Sequence, residues 1–304
     1  MIDLPPWLDP TAPYLVGISG GRDSIALHHW LVQNQFEELT YCHLNHQLRD
    51  SESDGDQAFL ENLLGPALLT KKLNVAELAT TQKISLETAA RQARHTFFQD
   101  CAHKTGINQI LLAHHADDQA ETILFNLLRG SSGLKGMQNQ RTIDELTYLR
   151  PLLSVRRSEI DQFLGDKAYR EDSTNAEPFA TRNRLRNEAL PLLTKIFKKD
   201  PTISLLRAHQ NQTELDLFLN DTLANITLLD PQGRIHLPTL RGLNPVLQKR
   251  ALHQYLQNHH IPDISQALVQ NALTLLDPQQ NPAVINLPGG LRLRRKESRL
   301  FISS

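Results

Sequence analysis

Two segments of this chain carry residue sets whose spacing suits chemistry. In "HHADDQAET" (114–122), a helix starting near Ala116 would place Asp118 and Glu121 at i, i+3 and Asp117 and Glu121 at i, i+4. Either carboxylate pair can clasp an ammonium group. A helix dipole also favours acids in its first turn, which is the ordinary account of such a cluster. In "YLVGISGGRDSIALHHWL" (14–31), an apolar run, a glycine turn and an amphipathic run follow one another. A strand, a turn and a helix start in that order direct backbone N–H groups and a positive dipole end at a phosphate. Ser19 offers a hydroxyl, Gly20 and Gly21 allow close approach to the main chain, and Asp23 and Ser24 fall in the first helical turn. The loop has neither the Gly-Lys-Ser/Thr of Walker A nor the G-x-G-x-x-G of dinucleotide sites. An aspartate beside a phosphate repels it unless a divalent cation lies between them, so Asp23 implies Mg²⁺ together with a nucleotide. A plain tight turn is the alternative.

Other sets are less specific. Glu87, Arg91 and Arg94 share a helical face at i, i+4 and i+7. Such a face is commonly a surface ion-pair ladder, but beside a phosphate loop an arginine can stabilise charge on a transferred phosphoryl group. His43 and His46 form H-x-x-H; on a continuing strand they point to opposite faces and cannot readily chelate one ion. Arg182, Arg184 and Arg186 crowd one short segment, and "RLRRKESR" (292–299) closes the chain. Both runs suit phosphate contacts, and both also suit a solvated surface or a protected edge strand.

The elements that must position these residues alternate. Strand candidates are 14–18, 39–44, 67–72, 109–115 and 148–153; helix candidates are 23–33, 54–64 capped by Ser51, 86–103 capped by Ser85, 116–129, and a pattern from Ser154 to Leu164. This is the signature of an α/β parallel sheet with crossover helices. The polar stretch 130–145 interrupts it, and its glycine- and serine-rich start predicts a mobile connection. From about Thr202 the pattern becomes helical, ending in two β-like runs about a "PGG" turn. The expected organisation is a catalytic α/β domain over 1–200 and a smaller, mainly helical domain over 201–304 with a terminal β-hairpin.

Composition sets outer bounds. The chain has 304 residues, 40% of them hydrophobic, and 32 basic against 33 acidic residues. That balance excludes a globally basic nucleic-acid binder and a disordered chain, so any footprint for a polyanion must be local. The amino terminus "MIDLPPWLDP" has no basic segment followed by an apolar core, and no apolar run approaches the ~18 residues of a membrane span. A cytoplasmic protein is expected. Cys42 and Cys101 are isolated, which argues against a disulfide framework or a cysteine-held metal.

"SGGRDS" is similar to the SGGxDS loop of the PP-loop, or N-type, ATP pyrophosphatases, whose domains are adenine nucleotide alpha hydrolase-like. "HLNHQLR" (43–49), "SLETAARQARHTFF" (85–98), "LLAHHADDQAETILFNLLRGSSGLKGM" (111–137) and "EDSTNAEPFATRNRLRNEALPLL" (171–193) look like motifs of the tRNA(Ile)-lysidine synthetases. The resemblance is dense over about 13–200 and looser at "LPGGLRLRR". It implies an enzyme that uses ATP and Mg²⁺ to adenylate the 2-oxo group of the first anticodon cytidine of an isoleucine tRNA bearing CAU. The ε-amine of L-lysine then displaces AMP. The implied nucleotide site is Ser19, Gly20, Gly21, Arg22, Asp23 and Ser24, with Asp23 on the metal. Asp118 and Glu121 would bind lysine, His114 would stand near the reacting centre, and Arg94 would act on the phosphoryl group. Arg49, Arg182, Arg184 and Arg186 would contact tRNA. A tRNA thiolase of the same fold and a nucleotide-binding regulatory module are the alternatives; thiolase chemistry would be expected to use cysteines or a cluster, which two isolated cysteines disfavour.

Overall fold

The computed structural model describes residues 2–48, 50–131, 133–170, 181–277 and 283–303, and the chain divides into two compact units, Met1–Arg207 and Ala208–Ser304. Arg49, expected to contact tRNA, lies outside the described residues.

The first unit alternates strands and helices through most of its length: β1 (Tyr14–Gly17), α1 (Arg22–Gln33), β2 (Leu39–Asn45), α2 (Asp50–Leu64), β3 (Leu68–Lys72), α3 (Val75–Gln82), α4 (Leu86–Thr105), β4 (Gln109–Leu111) and α5 (Ala116–Leu128). Then come β5 (Gln140–Ile143), β6 (Leu146–Leu149), α6 (Arg157–Leu164), α7 (Thr181–Arg184), a π-helical turn (Leu185–Ala189) and α8 (Leu190–Phe197). The sheet order is β3-β2-β1-β4-β6-β5, parallel except for the antiparallel edge strand β5. Because β1 and β4 are neighbours while the chain leaves β1 toward β2, the loops after β1 and β4 diverge at the switch point of the sheet. A crevice opens there, at the carboxyl ends of the strands.

Period-two alternation sends each strand's side chains to two cores. Val16, Tyr41 and Leu111 join Ile25, Trp30, Leu60 and Ile160 on one face. Leu15, Cys42, Leu44 and Ile110 join Val75, Ala89, Phe97 and Phe98 on the other. Trp30 is fully buried and donates from Nε1 to the Ile2 carbonyl at 3.1 Å. Trp30→Ala should destabilise this unit by roughly 3–5 kcal/mol, read as an earlier urea transition in far-ultraviolet circular dichroism.

Several boundaries differ from the sequence expectation. Ser85 caps α4 as expected, accepting from the Thr88 N–H. Helix α2 starts at Asp50, one residue before the Ser51 expected to cap it. The strand expected over 109–115 stops at Leu111, so the two histidines that follow are released from the sheet. The run expected over 148–153 is β6 at 146–149; Pro151, which has no N–H to give, begins a turn. Helix α3, capped by Asn74, had no strong periodicity to announce it. The connection expected to be mobile pairs β5 with β6 and has two further anchors: Gln119 bonds the Met137 backbone at both N–H and carbonyl, and Asn126 donates to the Lys135 carbonyl.

In the second unit, Leu223 near the end of α9 (Pro201–Ala224), α10 (Leu237–Arg241), α11 (Pro245–Asn258) and α12 (Gln266–Thr274) share one core with a four-stranded antiparallel sheet, built on Leu252, Leu256, Ile235, Leu293 and Leu300. Its strands are β7 (Ile235–His236), β8 (Val284–Asn286), β9 (Arg292–Lys296) and β10 (Arg299–Ser303), in the order β7-β10-β9-β8. The "PGG" turn joins two paired antiparallel strands, β8 and β9, as expected, and a second, tighter hairpin joins β9 and β10 through Glu297 and Ser298, both at positive φ.

Candidate nucleotide cleft and carboxylate pair

The crevice of the first unit is a cleft of about 410 Å³. Its walls include Ser19, Gly21, Asp23 and Ser24 from the glycine loop, Asn45 at the end of β2 and His46 just beyond it, Asp56 of α2, Arg94 of α4, His114 and Asp118 near the start of α5, and Arg170.

The loop holds its own shape. Ser24 is buried; its hydroxyl donates to the Gly21 carbonyl at 2.8 Å and accepts from the Ser19 N–H at 3.2 Å. Ser24 therefore braces the loop, while Ser19 is exposed at its surface. Gly20 has φ +82°, a conformation that side-chain-bearing residues rarely adopt, so the turn needs glycine here.

Arg22 corrects the sequence reading. Its guanidinium donates to Asp161 at 2.9 Å and to the Tyr169 hydroxyl at 3.0 Å, and it lies 5.0 Å over the Tyr169 ring. A planar fork satisfied by a carboxylate, a phenol and a ring face is committed to α6, and Arg22 is absent from the cleft wall.

Asp23 and Asp118 meet through a residue that sequence reasoning passed over. His115 is 1% exposed and is the N-cap of α5; its Nδ1 accepts from the N–H groups of Asp117 and Asp118. That leaves Nε2 facing the Asp23 and Asp118 carboxylates, at 3.7 and 3.5 Å. Burial opposes an imidazolium here, but the nearby carboxylates of Asp23, Asp118 and Asp117 outweigh it and raise the His115 pKa. Burial likewise opposes the Asp23 carboxylate, yet His115, Arg157 and Arg186 keep its pKa below the usual aspartate value. Asp23 Oδ1 is buried with no hydrogen-bond partner. An ionised, unpartnered oxygen beside a phosphate-sized cleft is a fitting donor for a hard divalent cation. His115 carried no usual cap signature, and only its adjacency to the acidic pair marked it.

Asp118 and Glu121 are brought together, and a cation already bridges them. Arg186 donates to Asp118 Oδ1 at 2.6 Å, to Glu121 Oε1 at 2.5 Å and to Glu121 Oε2 at 3.2 Å. Glu121 is buried, which raises its pKa despite the guanidinium. Asp117 is otherwise engaged, with Arg156 and the Arg157 N–H, so the other possible pairing with Glu121 is not formed.

The three arginines expected to contact tRNA do not form one basic surface. Arg186 is turned inward, Arg182 lies 5.3 Å over the Phe125 ring, and the exposed Arg184 pairs with Glu188 one turn on. The cause is helical: residues two apart on a helix face different ways. Arg94 does line the cleft, as does His114.

His114 sits among cations. Burial, then Arg150 and Arg94, push its pKa down to about 3, so it is neutral at pH 7. His46 and His28 fall to about 4, chiefly through burial. These groups take up protons in the unfolded chain near 6.5 but resist them when folded, so their stabilisation is full above that value and is lost as pH falls toward 4. The urea midpoint should therefore fall between pH 6.5 and 4.5, and His114→Gln should flatten that fall.

Comparison with known proteins follows the same division of the chain. Residues 8–193 match the PP-loop domain family, and residues 235–301 match the TilS substrate binding domain. A tRNA(Ile)-lysidine synthase of Chlorobaculum tepidum is 30% identical over 287 residues, 89% of this chain and 85% of that protein. Those of Thermus thermophilus and Geobacter sulfurreducens are 34% and 41% identical, over 97% and 60% of this chain. The matches cover 57% and 40% of those two proteins, so the chain spans about half their length. Among solved structures, the U34-tRNA thiolase NcsA of Methanococcus maripaludis, determined with its 4Fe-4S cluster, superposes with a TM-score of 0.52. The match covers 68% of this chain and 74% of that one at 15% identity, a likeness of fold.

Proposed function

The chain belongs to the tRNA(Ile)-lysidine synthase family, with a PP-loop domain at its core, and from that premise we propose that it joins L-lysine to an anticodon cytidine of an isoleucine tRNA at the expense of ATP. The observation that carries this reading is the carboxylate pair Asp118 and Glu121, the first in the wall of a cleft whose glycine loop carries Asp23 and the second one helical turn further along α5. Thiolase chemistry finds less support: Cys42 and Cys101 are both buried, and although Cys42 lines the cleft, its hydrogen bond with Cys101 and its burial raise the thiol's pKa and keep it protonated.

The cleft accounts for two different chemical needs. In the first step the cytosine 2-oxo oxygen attacks the α-phosphorus of ATP and pyrophosphate departs. Charge accumulates on the phosphates, and Arg94 meets it at the cleft wall. Mg²⁺ held by Asp23 would supply further positive charge there. In the second step the lysine nitrogen attacks C2 of the cytosine, AMP leaves, and the nitrogen gives up a proton. The amine is the harder partner: with a free pKa of about 10.4, holding it neutral at pH 7 costs about 4.6 kcal/mol. A carboxylate pair binds the cation and keeps it beside groups that accept its proton.

Arg186 occupies the oxygens an ammonium needs, so lysine enters this seat as the guanidinium shifts. Arg186 lies in the π-helical turn Leu185–Ala189, a kind of helical irregularity often found at functional sites. The expected organisation is a catalytic PP-loop unit and a smaller tRNA-positioning unit.

The direct test incubates the protein with Mg-ATP, labelled lysine and a CAU-bearing isoleucine tRNA transcript, with nucleosides read by mass spectrometry. Lysine on the anticodon cytidine, with AMP and pyrophosphate formed in step, is the expected result. Pyrophosphate release without incorporation would overturn lysine as the nucleophile.

A further inference from the structure

We propose that Arg170, about 150 residues from the glycine loop in sequence, is that loop's phosphate-gripping cation and binds the pyrophosphate half of the nucleotide. The proposal rests on reading the cleft as an ATP site. A glycine loop without a lysine must obtain its positive charge elsewhere, and its own Arg22 is committed to Asp161 and Tyr169. Arg170 supplies the missing charge through three features.

Its backbone is part of the loop. The Arg170 N–H donates to the Gly20 carbonyl at 2.9 Å, and Gly21 and Arg170 form a parallel bridge, so residue 170 extends the cradle as an added short strand. Its side chain lines the cleft together with Ser19, Gly21 and Asp23. The guanidinium is also oriented. Asp56, whose side chain is 9% exposed, accepts from Nε at 3.1 Å, while the Arg170 side chain remains 45% exposed. Among the described residues Asp56 engages Nε alone, which leaves the Nη edge for a ligand.

Helix α2 also makes room for this group. A Cβ at Gly55 would lie 3.0 Å from Arg170 Nη2, so any larger residue there would shift the guanidinium by a few tenths of an ångström. A fork held at Nε by a mostly buried carboxylate, with its outer nitrogens in a cleft, suits bidentate contact with phosphate oxygens. Because Arg170 is bonded to Gly20 and Gly21, it serves the phosphates nearest the loop, and Asp56 is its positioning residue.

The test is calorimetric titration of Mg-ATP, Mg-pyrophosphate and AMP into the whole protein and its Arg170→Ala, Arg170→Lys and Asp56→Asn variants. Arg170→Ala should weaken ATP and pyrophosphate roughly 10- to 100-fold and leave AMP unchanged. Arg170→Lys should recover part of the loss, and Asp56→Asn should show a smaller loss with the same ligand pattern. Unchanged pyrophosphate affinity would overturn the proposal. So would equal weakening of all three ligands, the mark of a loop that has lost its shape. The tRNA reaction is scored separately on the unaltered protein: ATP and pyrophosphate binding without lysidine formation would reject the proposed function and leave Arg170 to be judged by its variants. An unaltered protein that binds neither ATP nor pyrophosphate would reject both.

Discussion

Asp118→Asn is expected to cut lysine incorporation by roughly 30- to 1,000-fold, the range for removing one partner of a desolvated charge pair. Pyrophosphate release in the absence of lysine should stay within a few fold of the unaltered protein. The asymmetry follows from where the two oxygens go. Oδ2 accepts from the His115 N–H at 3.1 Å as part of the α5 capping box, a bond that an asparagine amide oxygen preserves. Oδ1 faces Arg186 at 2.6 Å, in the seat assigned to the lysine ammonium, and there the lost charge is not replaced. Most of the loss should appear as a raised KM for lysine. A fall in lysine-independent pyrophosphate release as deep as the fall in product would move Asp118 out of the amine seat and into the adenylation step.

Asp23→Asn should behave differently: pyrophosphate release and lysidine formation fall together, by roughly 100-fold or more, as expected when a preorganised charge at the reacting phosphates is lost. Asp23 Oδ1 is buried, ionised and without a partner, which is costly unless a cation completes it. An amide is a weaker ligand for a hard divalent cation, so the half-saturating Mg²⁺ concentration should also rise. Retained pyrophosphate release with lost lysine use would instead join Asp23 to the amine seat, through the His115 bridge between Asp23 and Asp118. Assayed together, the two variants separate the nucleotide half of the cleft from the amine half.

Features that depend on near neighbours along the chain were legible in the residues alone. The apolar run 14–17, the glycine turn and the helix from Arg22 follow from local conformational preference. So does the start of α4, where Ser85 satisfies an N–H three residues on, and so does the placement of Asp118 and Glu121 on one face of α5. These local facts were enough to bring out both halves of the proposed site.

Where the long cations go depends on packing between distant segments. Arg22 looked like part of the phosphate loop and was claimed by Asp161, 139 residues away. Arg186 read as an RNA contact and closed on Glu121, 65 residues away. Arg170 gave no signal and came to the loop through a backbone bridge to Gly21, its guanidinium set by Asp56, 114 residues away. The reason is physical: a guanidinium on a flexible stem can reach many partners, and its own neighbours in sequence do not choose among them. Packing brings one carboxylate within hydrogen-bond distance and desolvates the pair, and that choice exists only once distant segments of the chain have met.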